Sequence, residues 1–432
     1  MASAAREIWA GADQEIALIA RLNGTPLRLF GGGRFAGCDG APEAALADAV
    51  ARWRYTSPFT GEDWSPLDAI AQLFDWRRLI DANRRIDAVY GVARWKRVTL
   101  DTMLWNGSSP VRHARRFRPA SGIGQHHVAW KSRTSPKLLA RLAERGVRLS
   151  ELEDGFIRSV GLGANCVPPL SAILDLTGIY FDPGQQSDLE IILQTDNFDE
   201  KLCRRAAALK SRLVDANISK YGQLRSEVKR AVNGRYTVLV AGQVEDDRSI
   251  LTGGSGATNL ELLTRARACE PRAHIIYKPH PDVVAGHRKG HVETAAALRF
   301  ADEIQRDASI TALIDAVDGV HVITSLAGFE ALLRGKAVTT HGVPFYAGLG
   351  LTKDLGDVPS RRTRRLSLDE LVAGSLLIYP RYIDPVTRLP CPAELLVERM
   401  VRGEANILTP LITLRQWQGR LRSLLRALTE RP

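Results

Sequence analysis

The chain has 432 residues, is 45% hydrophobic and 25% charged, and carries a net charge of +11. That length allows two sizeable domains, and the composition is that of an ordinary globular protein, without repeats or low-complexity tracts. No apolar run approaches the ~20 residues of a membrane-spanning helix. Residues 1–10 include Arg6 and Glu7 and have no apolar signal core, so a cytoplasmic protein is expected. The five scattered cysteines (Cys38, Cys166, Cys203, Cys269, Cys391) form no CxxC pair, which argues against a zinc site or a disulfide framework. The positive charge suits an anionic partner: a nucleotide, an acidic sugar, a membrane surface or a nucleic acid. It equally suits a solvated, arginine-rich surface.

Residues 1–39 are weakly patterned. Arg28-Leu29-Phe30-Gly31-Gly32-Gly33-Arg34 reads as a strand entering a glycine turn. No lysine follows at P-loop spacing and there is no GxGxxG, so a plain turn is the better reading. Residues 42–54 are alanine-rich and helical. Ser65-Pro66 marks a helix start, and residues 67–86 read as a helix with Ile70, Leu73, Phe74 and Leu79 as its apolar contacts. Trp95, Lys96, Arg97 and Trp105 mix aromatic and basic residues. Nucleic-acid stacking would need them exposed, and tryptophans packing a domain edge is the favoured reading.

Residues 128–131 read as a strand, 136–145 as a helix stopping at Gly146, and 147–152 as a strand, an alternation that predicts a parallel sheet. The last strand runs into Glu153-Asp154-Gly155. Adjacent carboxylates repel, so one can have a raised pKa and act as an acid or base. Gly155 permits a sharp turn and close approach of a ligand. A helix cap or turn acid fits this triplet equally well. Arg158 can meet a carboxylate or phosphate bidentately. Residues 168–182 read as two short strands around a Thr-Gly turn, 187–194 and 200–216 as helices, and 220–234 as a link between domains.

A second domain starts at Tyr236. Three apolar runs there end in polar residues: Val238-Leu239-Val240 in Ala241-Gly242-Gln243, Ile275-Ile276-Tyr277 in Lys278-Pro279-His280-Pro281, and Val320-His321-Val322-Ile323 in Thr324-Ser325. A histidine between prolines does not belong inside a helix, so His280 is expected at a strand end, where open α/β sheets bind ligands. Thr324 and Ser325 open a helix, offering hydroxyls, free N–H groups and the positive end of a dipole to a phosphate. Glu245-Asp246-Asp247 can hold a divalent metal or line a loop over a nucleotide, the latter being favoured. Glu330 can take ribose hydroxyls or pair with Arg334. His287 and His291 lack an HExxH pattern and read as surface residues. Arg361, Arg362, Arg364 and Arg365 read as a solvated edge or a contact to an anionic acceptor or lipid headgroups. Residues 394–429 read as amphipathic helix packing back across the first domain. A cleft between two such α/β halves suits transfer of a group from a nucleotide donor, and spacing alone does not name the donor.

Five ordered blocks closely resemble the capsule polysaccharide biosynthesis family. They are residues 152–163 around Glu153-Asp154-Gly155, 242–247 from Gly242-Gln243, 277–284 around Lys278-Pro279-His280-Pro281, 324–335 from Thr324-Ser325, and Tyr382-Ile383-Asp384-Pro385-Val386-Thr387. The family contains retaining β-Kdo transferases that build the lipid-linked Kdo primer of bacterial capsules, often as two modules in tandem. The resemblance covers residues 55–399, one module, with Tyr-Thr-Ser-Pro-Phe-Thr-Gly at residues 55–61 looking like the junction before a second module. A more distant resemblance is to bacterial sialyltransferases that combine an acidic-acidic-Gly motif with a His-Pro motif.

The resemblance implies an α/β GT-B fold, two Rossmann-like domains facing a cleft, with CMP-Kdo as donor. The expected layout is an extension at 1–55, a catalytic and acceptor domain at 56–234, a nucleotide-binding domain at 235–393, and helices at 394–432 packing back. Asp154 is the implied nucleophile, giving a covalent Kdo–enzyme intermediate, and Glu153 orients it. Gln243, Lys278, His280, Thr324, Ser325 and Glu330 are implied to bind the nucleotide, and Arg158 and Asp246 to contact substrate. No metal or other cofactor is implied, because protein groups clamp the phosphate. The implied partners are an anionic glycolipid or oligosaccharide acceptor, the inner membrane surface and other capsule-synthesis enzymes, with no nucleic acid. Two other readings stay open: a non-catalytic assembly or export partner, and a nucleotide-sugar epimerase or hydrolase on the same fold. An inactive module would be expected to lose Asp154 or His280, and both are present.

Overall fold

The computed structural model describes residues 5–36, 42–117, 126–160, 166–220, 222–223, 228, 234–286 and 288–407. Cys38, Gly161-Leu162-Gly163, His287, most of the expected link at 220–234 and the expected helix beyond residue 407 lie outside these residues. The chain divides into two units, Met1–Arg78 and Leu79–Pro432.

The first unit opens with β1 (Ile8–Gly11), α1 (Glu15–Leu22) and β2 (Leu27–Phe30), the strands paired in parallel over a core of Ala10, Ala17, Leu18 and Phe35. After α2 (Pro42–Ala51), β3 (Tyr55–Thr56) and β4 (Asp63–Trp64) form a hairpin with Phe59 edge-on to Trp64. Helix α3 (Pro66–Asn83) starts where expected, the Ser65 hydroxyl accepting from the Asp68 N–H at 3.2 Å. Its expected apolar face is wrong. Ile70, Leu73 and Phe74 are exposed, and Ala69 and Gln72 are buried. The inward stripe continues to Trp76, which packs edge-on to Phe59. That aromatic contact sets the rotation of the helix, and the count of apolar residues per face does not.

The second unit begins β5 (Ile86–Tyr90), α4 (Arg94–Met103), β6 (His126–Ala129), α5 (Pro136–Glu144), β7 (Arg148–Asp154), β8 (Ser171–Asp175), α6 (Asp188–Thr195) and α7 (Glu200–Asp215). A short ladder of β9 (Ile218–Ser219) and β10 (Gly222–Gln223) follows. A second alternation runs β11 (Thr237–Ala241), α8 (Arg248–Gly253), α9 (Asn259–Cys269), β12 (His274–Lys278), α10 (Pro281–Val284), α11 (Thr294–Ala297) and β13 (Glu303–Ile304). It continues α12 (Ile310–Ala316), β14 (Gly319–Val322), α13 (Leu326–Leu333), β15 (Ala337–Thr340) and β16 (Lys353–Asp354). The described chain ends with α14 (Leu368–Val372), β17 (Arg381–Ile383), β18 (Pro390–Cys391) and α15 (Ala393–Val401).

Two six-stranded sheets result. One, in the order β13-β12-β11-β14-β15-β16, is parallel throughout. This is the 3-2-1-4-5-6 order of doubly wound sheets, which bind ligands outside the strand carboxyl ends where the order reverses. Here the reversal lies between β11 and β14. The other sheet, β18-β17-β8-β7-β6-β5, is parallel only over β5, β6 and β7, while β8, β17 and β18 run antiparallel. The parallel pairing expected from residues 128–152 holds for β6 and β7, and the antiparallel β8, β17 and β18 make the whole sheet mixed.

Gly155 lets the end of β7 pack closely against β8. A Cβ there would lie 2.2 Å from the Ser171 hydroxyl, and the Gly155 N–H donates to the Ser171 carbonyl at 3.1 Å. Residues 168–182 form one strand, not two. The buried Asp175 side chain accepts from the N–H groups of Thr177, Gly178 and Asp188, and so turns the chain out of the sheet. The arginine cluster is only partly the expected solvated edge: Arg365 and Arg361 are exposed, but Arg362 is buried. Arg361 and Arg362 both pair with Glu190 of α6, and Arg362, buried, also donates to the Pro344 and Ala347 carbonyls. Residues 381–383 rejoin the first sheet through β8, so Tyr382-Ile383-Asp384 serves the framework.

Asp384 is fully buried, takes hydrogen bonds from Val386, Thr387 and Arg399, and lies 2.9 Å from Arg399 Nε. Burial pushes its carboxyl up, but the bonds from Thr387 and Arg399 outweigh that and hold it below its ordinary value. A carboxyl depressed by folding adds stability above its unfolded pKa and loses that contribution as pH falls through the folded value. Asp384→Asn should therefore cost about 3–5 kcal/mol in urea unfolding at neutral pH. The gap to the parent protein should close below about pH 3.9. A gap unchanged by acid would mean that the Asp384 charge contributes nothing.

Candidate active site

The carboxyl-terminal half of strand β7 carries three carboxylates, and alternation separates them. Glu151 and Glu153 share one face, and Asp154 belongs to the other. Glu151 is fully buried, 2.8 Å from Lys131 Nζ and paired with Arg248 of α8. Asp154 is clamped by Lys96 Nζ of α4 at 3.0 Å from Oδ1 and by Arg158 Nε at 2.8 Å from Oδ2. Arg158 is 2% exposed, and its partners here are protein groups: it also donates to the Ser159 hydroxyl at 2.6 Å and the Val167 carbonyl at 3.1 Å. Among the described residues Glu153 accepts one hydrogen bond, from the Asp154 N–H at 2.9 Å.

The charges sort accordingly. Burial raises the Asp154 carboxyl, but Lys96 and Arg158 outweigh it and hold the group below its ordinary range, ionised. Among the described residues Glu153 has no ion-pair partner; burial and the Asp154 charge push it up to about 7. Of the adjacent pair, the sequence could not say which acid is raised. The side chains around them decide that it is Glu153.

The second sheet contributes a cluster at its switch point. Gln243 follows β11 and Thr324 follows β14. The Thr324 N–H donates to Gln243 Oε1 at 2.8 Å, and Gln243 Nε2 donates to Thr324 Oγ1 at 3.1 Å. Asn259 grips Gln243 from behind, accepting its N–H and donating to its carbonyl, both at 2.8 Å. Ser325 caps α13, its hydroxyl accepting from the Ala327 N–H at 3.1 Å, and Ser249 lies 3.4 Å from the Thr324 hydroxyl. His280 caps α10: Nδ1 accepts from the Asp282 N–H at 3.2 Å, which leaves the ring proton on Nε2. Burial lowers the pKa of this histidine, so it is a neutral donor.

The remaining expected residues have framework partners in this structure. Lys278 Nζ donates to the Arg306 carbonyl at 2.9 Å, away from the Gln243–Thr324 pair. Glu330, buried and raised in pKa by burial, accepts from the Lys220 N–H at 3.1 Å. Arg334 meets Asp315 at 3.2 Å and donates to the Glu330 backbone carbonyl, not to its side chain. The three acids in a row part company: Glu245 accepts from the Asn259 N–H, Asp246 pairs with Arg288 at 3.2 Å, and Asp247 caps α8. They do not converge on one point.

Sequence reading missed the residues that join the two clusters. Arg248 joins α8 to Glu151 of β7, and the Thr252 hydroxyl donates to the Phe181 carbonyl at 2.9 Å. The Lys220 carbonyl accepts from the Arg158 N–H at 3.0 Å, and the Lys220 charge lowers the pKa values of Glu153, Asp154, Glu330 and His280. One signal was available. Glu151 and Glu153 are two apart on a strand, the spacing that shares a face. Nothing local marks Lys96, whose partner is 58 residues away.

Comparison with known proteins shows the family. The model of the capsule polysaccharide biosynthesis protein family matches residues 126–227 and 201–382. The capsule polysaccharide modification protein LipA of Neisseria meningitidis serogroup A is 41% identical over 355 residues, 81% of this chain and 50% of LipA. The chain belongs to the capsule polysaccharide biosynthesis family. The lipopolysaccharide-processing protein LpsZ of Rhizobium meliloti is 45% identical over 241 residues, 55% of this chain and 54% of LpsZ. The chain thus spans about half the length of the curated relatives it matches. Among solved structures, the β-Kdo 2,4 transferase of Thermosulfurimonas dismutans KpsC aligns with a TM-score of 0.61 at 31% identity, covering 73% of this chain and 98% of that one. The β-Kdo 2,7 transferase of the same KpsC gives 0.57 at 33% identity, covering 73% and 99%.

The link between the clusters can be measured. A double-mutant cycle with Glu151→Gln and Arg248→Met should give a coupling of about 1–3 kcal/mol in urea unfolding. Additive losses would show that this pair does not hold the two sheets together.

Proposed function

We propose that this family member is a glycosyltransferase that moves Kdo from CMP-Kdo to a glycan acceptor of capsule synthesis, with retention of configuration and on a GT-B arrangement of its two sheets. The observation that carries the reading is Asp154. It is an ionised carboxylate with both oxygens oriented, beside an acid raised to about 7, on the strand whose Glu151 pairs with Arg248, five residues after Gln243 of a switch-point cluster suited to phosphate. The likeness to two β-Kdo transferase modules at above 30% identity supports the choice of sugar.

In this reading Thr324, Ser325 and the N–H groups opening α13 receive the CMP phosphate, and His280 adds a neutral donor from Nε2. Gln243 sets the Thr324 hydroxyl. The phosphate charge is met by these protein donors, so the proposal calls on no metal. Asp154 attacks the anomeric carbon of Kdo while the bond to the phosphate oxygen breaks and CMP leaves with the bonding pair. The product is a glycosyl ester on Asp154. An acceptor hydroxyl then attacks the same carbon from the vacated side, Glu153 takes its proton, and the Asp154 carboxylate is released. Two inversions give net retention. The cations that depress Asp154 weaken it as a nucleophile but make it a better leaving group in the second step. The acceptor is proposed to be an anionic glycolipid or oligosaccharide met at the inner membrane surface together with other capsule-synthesis enzymes. Among the described residues no helix is long and apolar enough to cross a membrane.

The test is CMP release from CMP-Kdo generated in situ, with and without a Kdo-terminated glycolipid, and mass spectrometry of the acceptor. Acceptor-dependent release with a gain of one Kdo supports the proposal. Saturable CMP binding without release would point to another sugar or a missing partner module, and no CMP binding would remove the donor. Asp154→Ala should abolish transfer and leave CMP affinity nearly intact, whereas His280→Ala should weaken CMP binding about tenfold, the loss of one charge-assisted hydrogen bond. The rate should rise with pH through about 7 as Glu153 ionises, and Glu153→Gln should remove that limb.

A further inference from the structure

Lys96 is set where a lysine is expensive to keep. It is 5% exposed, with Nζ 3.3 Å from the centre of the Trp130 ring and 5.3 Å from that of Trp95. The carboxylate it meets is Asp154 Oδ1, at 3.0 Å. Its helix does not need the charge. α4 is already anchored by the buried Thr99, Leu100 and Met103, and buried ion pairs are often no more stabilising than apolar residues of the same volume. What the ammonium does supply is geometry. Arg158 reaches Asp154 Oδ2 from the chain just after β7, while Lys96 reaches Oδ1 from a separate helix. Two cations from two directions stop the carboxylate from rotating. Arg158 cannot do this alone, because its other two nitrogens are committed to Ser159 and Val167.

We propose that Lys96 is a positioning residue for the carboxylate pair. Its ammonium fixes Asp154 as an oriented anion and so leaves Glu153 as the member of the pair that takes up and releases the proton. The proposal rests on the reading of Asp154 and Glu153 as the reacting acids. Among the described residues, charged groups face the pair from several elements. Asp154 faces Lys96 from α4, Arg158 from its own chain, and Lys220 from the segment after α7, with Glu153 beside it. Glu153 faces Asp154, Lys96 and Lys220, with Arg248 of α8 and Tyr180 within electrostatic reach. Removing Lys96 leaves Arg158 and Lys220 to hold the anion. Burial then favours protonated Asp154, and the proton shared by the pair moves from Glu153 to Asp154.

Infrared difference spectroscopy across a pH titration, with no sugar or nucleotide present, reads which acid is protonated. In the parent protein a protonated carboxyl should titrate near 7 and vanish in Glu153→Gln. In the double variant Lys96→Met, Glu153→Gln a protonated carboxyl should reappear, and Asp154→Asn should remove it. Lys96→Met alone should lower single-turnover transfer about a hundredfold, the scale of a misplaced reacting group, while CMP affinity stays within about twofold as the check on folding. Lys96→Arg keeps the charge and should keep Asp154 ionised with part of the turnover. If Lys96→Met does not fold, Lys96→Gln serves, since it removes the same charge and keeps a polar tip. A double variant whose Asp154 carboxyl, identified by its loss in Asp154→Asn, titrates no higher than in Glu153→Gln alone overturns the proposal, as does a Lys96→Met protein with parental turnover. Because the titration needs no donor, failure of the Kdo assignment would leave the infrared result standing, and failure of the infrared result would leave the Kdo assignment standing.

Discussion

A carboxylate taken out of water must be answered by a cation or give up its charge. β7 carries three carboxylates in four residues, Glu151, Glu153 and Asp154, and much of the second unit is arranged around them. Lys131 and Arg248 answer Glu151, and Lys96 and Arg158 answer Asp154. Glu153 lies between, without an ion-pair partner among the described residues, and is the one whose proton is held near neutrality. The answering cations come from four separate stretches of chain. Neutralising one strand therefore ties α4, the turn after β6, the chain after β7 and α8 to the carboxyl-terminal half of β7.

The second sheet supplies a different kind of order. Its strand sequence reverses between β11 and β14, so two strand ends diverge there and expose backbone N–H groups and side chains to a common space. Gln243 and Thr324 close that gap with a reciprocal pair of hydrogen bonds, which fixes the hydroxyl at the start of α13 without a bound ligand. Arg248 follows Gln243 by five residues and pairs with the carboxylate two before Glu153. The same short loop therefore leads from the switch point to the acidic strand. The two clusters are thus tied together along the chain as well as across the Arg248–Glu151 pair.

Much of the architecture was legible because it is local. Proline after Ser65 and glycine after residue 145 mark helix ends by backbone sterics, and the apolar runs before Gln243, His280 and Thr324 are short enough to be only strands. Where the reading failed, a long-range contact had overridden a local preference. α3 turned its small and aromatic side inward because Trp76 meets Phe59. The second expected strand near residue 180 gave way to a turn because Asp175 gathers three N–H groups. Three of the four arginines, Arg361, Arg362 and Arg364, reach Glu190 or backbone carbonyls that lie far away in sequence.

The same division runs through the site. From the residues alone came the acid pair, the His-Pro turn, the hydroxyls at a helix start and the order of the five blocks, because each depends on neighbours within a few positions. The sequence could not say which acid stays charged. That depends on Lys96 and Arg158 reaching opposite oxygens of Asp154, and on burial that no run of a dozen residues encodes. Nor could it say that Lys278 and Glu330 brace the framework while Arg248 and Lys220 lie between the clusters. A motif sets which chemical groups are available, and packing sets their ionisation and their partners, since both follow from distances between residues that are remote along the chain.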